Sequence, residues 1–200
     1  MPYKKQLRKD PVMKGLVQKY PLQPLVTGNN ILQELCSSIV GQQLSIKAAA
    51  TINSRFLQLF NGKKPKAAHI LAVPDQELRN AGLSNAKVTY VKNVCRFFIE
   101  QKLTDAKLHI MSDDDLLALL TQIKGVGKWT VEMVLMFVMG RQNVFSTGDL
   151  VLQKAMILLY NIEYLTKKEL EQKMLNISNT WSPYKTYACL YLWKSIDVEE

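Results

Sequence analysis

Gly125 and Gly127 bracket a single valine, with Lys124 and Lys128 on either side, and the residues from Trp129 onward read as a helix that begins directly after this turn. Two glycines permit a tight reversal with positive φ and let another group approach the backbone closely. The unpaired amides at the start of a helix, with the positive end of its dipole, attract an anion, so the chemistry on offer is a seat for phosphate. A Gly-x-Gly between two helices can also serve plain helix packing. One isolated carboxylate, Asp149, follows Ser146-Thr147-Gly148 and directly precedes an apolar helical run. Other catalytic inventories are thin. His69 and His109 are the only histidines, and neither sits in a metal-like or triad-like setting. Asp113, Asp114 and Asp115 follow Ser112, which places them in the first turn of a capped helix. Cys36, Cys95 and Cys189 are far apart with no C-x-x-C pair, so they read as reduced core thiols, with neither a zinc site nor an iron–sulfur cluster encoded.

The elements that position these groups follow from apolar spacing. Residues 1–29 contain Pro11, Pro21 and Pro24 and read as an irregular lead-in. From Ile31 the apolar positions recur at helical spacing until Gly41, Gln42-Gln43-Leu44 form a short link, and Ser45 caps a second helix. Short helical pieces divided by Pro74 stop at Gly82, and Ser84 caps a long helix in which Val88, Val91, Val94, Cys95, Phe98 and Ile99 face inward. Thr166 with Glu169 makes another capping box, and Ser182-Pro183 marks the start of a last helix. No segment alternates with period two for long enough to be a strand. The expectation is an all-α chain of roughly ten helices, of 200 residues and 48% hydrophobic, with ample core. The formal charge of +9 favours a polyanion partner, although a merely soluble basic surface would also account for it. The charged first residues lack a secretion signal and no stretch is apolar enough to span a bilayer, so an intracellular protein with no membrane partner is expected.

Ile123-Lys-Gly-Val-Gly-Lys-Trp-Thr130 resembles the hairpin of the helix-hairpin-helix (HhH-GPD) DNA glycosylases, and Phe145-Ser-Thr-Gly-Asp149 resembles the Gly/Pro-rich loop that ends in their Asp, here without a Pro. Ile39-Val-Gly-Gln-Gln-Leu-Ser45, Gly82-Leu-Ser-Asn-Ala-Lys87 and Trp181-Ser-Pro-Tyr-Lys-Thr-Tyr-Ala-Cys-Leu-Tyr-Leu-Trp193 are similar to stretches of the same family, in the family's order. The likeness is greatest to members of the DNA-3-methyladenine glycosylase II type. It implies two helical lobes with an active-site cleft between them, over residues 30–200, and no N-terminal β domain. Members that also cut the strand carry a Lys nucleophile at the second position after the turn. Trp129 stands there, twenty residues before Asp149, and the four-Cys cluster of two other branches is missing. The resemblance therefore implies a monofunctional enzyme that releases alkylated purines in base-excision repair. Deaminated, etheno or oxidised bases, or a non-catalytic DNA-binding module, are the alternatives.

By the same resemblance Asp149 is the catalytic carboxylate, which meets the positive charge on the sugar or orients a water, though it would also serve as a simple N-cap. Trp129, Trp193 and Met133 line the base pocket, Met133 replacing an aromatic of one branch; either Trp could instead be a core anchor. Gly125, Gly127 and Thr130 grip a backbone phosphate through their amides, beside Lys124 and Lys128. Gln42, Gln43 and Leu44 map onto the wedge that fills the gap left by a flipped nucleotide, although Leu44 could equally be ordinary core. A Na⁺ or K⁺ held by the carbonyls of Thr121, Ile123 and Val126 is implied, with no other cofactor. Double-stranded DNA with a damaged base is the implied partner of a monomer in the cytoplasm and nucleoid, or in a nucleus. Trp181 reads as core.

Overall fold

Proline at the first position of a helix is tolerated, because the amide it lacks would have no partner there. That fact decides the first nineteen residues. In the computed structural model, which describes residues 1–28, 30–62 and 64–197, helix α1 (Pro2–Leu7) and helix α2 (Pro11–Lys19) each begin on a proline. Asp10 caps α2 by accepting the amides of Val12 and Met13 at 2.9 and 3.0 Å. Tyr3, Leu7, Met13, Leu16 and Val17 are buried. The irregular lead-in expected over 1–29 is thus corrected: Pro11 starts a helix, and within that span only residues 20–28 form a long stretch without a regular element. Asn29, at the end of the expected lead-in, lies outside the described residues.

The chain divides into two compact units, residues 27–139 and residues 1–26 with 140–200. The first contains α3 (Ile31–Gly41), α4 (Ile46–Gln58), α5 (Ala67–Ala72), α6 (Asp75–Asn80), α7 (Asn85–Glu100), α8 (Asp105–His109), α9 (Asp113–Leu120) and α10 (Lys128–Phe137). Ser45, Ser84 and Ser112 accept the amides of Ala48, Lys87 and Asp115, three positions on in each case. That is N-capping as their sequence contexts predict. Helix α7 is the centre of this unit, with α3 and α5 packed on it. Val88, Val91, Val94, Cys95 and Phe98 are buried there, but Ile99 is 48% exposed. Its inward placement is corrected: one residue beyond Phe98 it points about 100° further round the helix.

The other unit adds α11 (Leu150–Tyr160), α12 (Lys167–Asn179) and α13 (Lys185–Asp197) to α1 and α2. Helix α13 packs on α11 and on α2. Tyr3 stacks on Tyr187 with ring centroids 3.9 Å apart. Trp181 is fully buried, and its indole N–H reaches Asp10 Oδ2 at 3.0 Å, beside the Tyr160 hydroxyl at 2.8 Å. The described residues thus form thirteen helices and no strand, more helices than the ten or so expected because α1, α2 and the five-residue α8 were not foreseen. Among them no helix is long and apolar enough to cross a membrane.

Candidate active site

The hairpin is built from α9, a turn and α10. Gly127 is the N-cap of α10, so Lys128, Trp129 and Thr130 form its first turn. Gly125 has φ +108, and a Cβ added to it would run into the ring of Tyr90. Gly127 has φ −98, and a Cβ there would meet nothing within 4 Å. Positive φ is therefore required at Gly125 alone, which corrects the expectation for the pair. Gly125 is glycine for the fold, whereas Gly127 keeps open space at a helix N-terminus, where an anion could approach. Lys124 and Lys128 are exposed. The Lys128 ammonium lies 3.7 Å from Glu132 Oε1, whose side chain is buried. Thr130 is buried.

On the same unit, Trp129 and Met133 stand one turn apart on α10, where residues four apart share a face. Trp129 is 42% exposed and Met133 is buried. An exposed indole beside a thioether is an apolar surface on which a flat ring can stack. Of the three expected wedge residues, Gln42 is half-buried and donates from Nε2 to the carbonyl of Gly125 at 3.1 Å. Gln43, with φ +58, and Leu44 are exposed.

Asp149 belongs to the other unit. It caps α11, accepting the Leu152 amide at 2.9 Å on the same Oδ1 that accepts the Trp193 indole N–H at 3.1 Å. Asp149 is 7% exposed and Trp193 is half-buried. The structure therefore brings together two residues that the sequence placed separately in the catalytic role and in the pocket. The indole fixes the plane of the carboxylate, as a donor to a charged acceptor does. Gln153 Nε2 ties the preceding loop by donating to the Thr147 carbonyl at 2.7 Å.

Sequence reasoning missed three residues that hold the hairpin and the turn after α3. Lys87 Nζ donates to the carbonyls of Val40 and Gln42 at 2.8 Å each, and its partial burial lowers its pKa. Tyr90 packs against Gly125, and Asn93 Nδ2 donates to the Lys124 carbonyl at 3.3 Å. Their recurrence every third residue along α7 was the available signal.

Residues 36–179 match the model of the HhH-GPD superfamily base excision DNA repair proteins. The chain is 32% identical over 165 residues to DNA-3-methyladenine glycosylase 1 of Schizosaccharomyces pombe, covering 82% of this chain and 71% of that one. A crystal structure of a DNA-3-methyladenine glycosidase from Bacillus halodurans superposes with a TM-score of 0.83 at 39% identity, covering 98% of this chain and 89% of the other. The Schizosaccharomyces pombe 3-methyladenine DNA glycosylase solved with abasic DNA superposes with a TM-score of 0.86 at 29% identity, covering 97% and 96%. Against two curated Bacillus subtilis relatives the chain spans 66% of their length. A family match over most of the chain shows that this chain belongs to the HhH-GPD superfamily of base excision DNA repair proteins.

Proposed function

We propose that the protein is a monofunctional DNA N-glycosylase that releases alkylated purines of the 3-methyladenine and 7-methylguanine type from double-stranded DNA, acting as a monomer inside the cell. The observation that carries this reading is the buried Asp149 carboxylate, held by a helix amide and by the Trp193 indole. The names borne by its relatives support the substrate class.

The hairpin amides of Gly125, Gly127 and Thr130 grip a phosphate, and Lys124 and Lys128 add charge. A nucleotide leaves the stack at a cost of a few kcal/mol, and Gln43 and Leu44 fill its place. The alkylated base is a cation while it is still joined to the sugar, so the exposed Trp129 face gains roughly 0.5–2 kcal/mol from it, with Met133 beside it. The glycosidic bond breaks with its electron pair passing to the base, which departs neutral. The sugar is left oxocarbenium-like, Asp149 stabilises that charge, and water adds to the sugar carbon and loses a proton. A cationic leaving group needs little acid catalysis, which suits a site with one carboxylate and no His. Trp129 stands where a lyase would need its Lys, so no Schiff base forms and the strand stays intact. The carbonyls of Thr121, Ile123 and Val126 are neutral oxygens in the turn after α9, and the Ile123 carbonyl already accepts the Val126 amide at 2.9 Å. Neutral oxygen donors of this kind fit Na⁺ or K⁺, which would stiffen the hairpin.

The test is base release from methylated duplex DNA. Wild type releases 3-methyladenine without strand scission, and Asp149→Asn loses about a hundredfold or more in single-turnover rate while still binding DNA. Trp193→Phe keeps a ring but no N–H and loses about tenfold. Release at the background rate by wild type that binds DNA would defeat the enzymatic reading, and scission without added base would defeat the monofunctional one.

A further inference from the structure

Three side chains on successive turns of α7 converge on the two loops of their unit that this function uses. Lys87 holds the carbonyls of Val40 and Gln42, Tyr90 fills the space a Cβ of Gly125 would need, and Asn93 holds the carbonyl of Lys124. Gln42 closes the circuit with its bond to the Gly125 carbonyl. The last carbonyls of a helix lack amide partners, and a cation is favoured there by the dipole. At the end of α3 the Lys87 ammonium fills that place. The chain then turns through Gln43 at φ +58, a left-handed conformation that a residue with a Cβ adopts at some cost. The bonds at Val40 and Gln42 before it, and the Leu44 amide donating to the Gly41 carbonyl at 3.2 Å after it, keep it there.

We infer that Lys87 and Gln42 are positioning residues for the wedge, fixing Gln43 and Leu44 relative to the hairpin so that seating a phosphate aims the wedge at the base step. This rests on the glycosylase reading, since only a protein that extrudes a base needs grip and wedge in register. With the tie intact, the loop is ordered before flipping; with it broken, ordering is added to the cost of the flipping step.

The full-length protein would be compared with Gln42→Met, which keeps length but loses the N–H donors, and with Lys87→Met and Lys87→Arg. The readouts are affinity for a duplex with a tetrahydrofuran abasic analogue, fluorescence of 2-aminopurine beside it, and single-turnover release of 3-methyladenine. Gln42→Met and Lys87→Met should keep affinity within about twofold and lose excision and the fluorescence rise about tenfold, the worth of a lost hydrogen bond or two. Lys87→Arg, still able to donate to both carbonyls, should recover most of the loss. If Lys87→Met does not fold, Gln42→Met decides alone. A wild-type fluorescence rise with Gln42→Met overturns the inference, as does a loss of affinity and of the fluorescence rise in equal proportion. If wild type releases no base yet gives a fluorescence rise that Gln42→Met abolishes, the glycosylase reading fails and the positioning role stands. If wild type gives no fluorescence rise, there is no wedge to position and the inference falls.

Discussion

Gly125 and Gly127 are the same residue two positions apart, and the chain needs them for different reasons. Replacing Gly125 adds a Cβ at φ +108 against the Tyr90 ring. Strained backbone of this kind costs about 1–2 kcal/mol before the ring has moved at all. Gly125→Ala should therefore lower the melting temperature by several degrees and disturb the hairpin. Gly127→Ala meets open space at an ordinary φ, so the melting temperature should hold within about 2 °C. On the proposed grip its methyl group would instead stand in the path of a phosphate to the first amides of α10, and duplex affinity should fall several-fold. Thermal denaturation and fluorescence anisotropy on both variants check the division. A Gly127→Ala protein that binds DNA like wild type would show that these amides are not the grip.

At the scale of elements, the smaller unit turns on one carboxylate. Asp10 caps α2 and accepts from Tyr160 of α11 and from Trp181 before α13. Burial, first, and then the adjacent Asp10 charge raise the Tyr160 phenol far above its ordinary value of 10.0, so it stays protonated and donating. A folded pKa above the unfolded one gives stability that is complete below the unfolded pKa and is lost as pH rises past it. Stability should therefore decline as pH climbs above about 10, and Tyr160→Phe should flatten that alkaline decline in a series of melting temperatures. An unchanged slope would mean that other groups set it. None of this network was legible in the sequence, because Asp10 and Trp181 are 171 residues apart. The serine caps were legible, since a cap and its amide lie within one turn, and so was the order of hairpin, loop and Asp149. Helices α1 and α2 were not, because Pro11 reads as a breaker until Asp10 is seen to cap the turn it starts. Lys87 was visible inside a recognisable motif, but its partners at Val40 and Gln42 exist only once α3 lies on α7.

Across the whole molecule, 26 Lys and Arg against 17 Asp and Glu leave a charge of +9, and that field acts on DNA differently from the hairpin amides. A cation that neutralises a phosphate releases a condensed counterion, which steepens the fall of log affinity with log salt by about 0.9 per phosphate. A backbone amide carries no net charge and releases none. Lys128 is 62% exposed at its side chain, and its link to Glu132 is loose at 3.7 Å, so a phosphate can compete for it. Lys128→Ala should then weaken duplex binding and reduce the salt slope by about one unit. Gly127→Ala should weaken binding with the slope unchanged, and titrations from 50 to 300 mM salt would separate the two. If Lys128→Ala leaves the slope where it was, the ammonium stays with Glu132 and the phosphate is held without it. The Lys128 charge then acts only at long range, drawing the duplex in without touching it, and association rate rather than residence time should carry its share of the salt dependence.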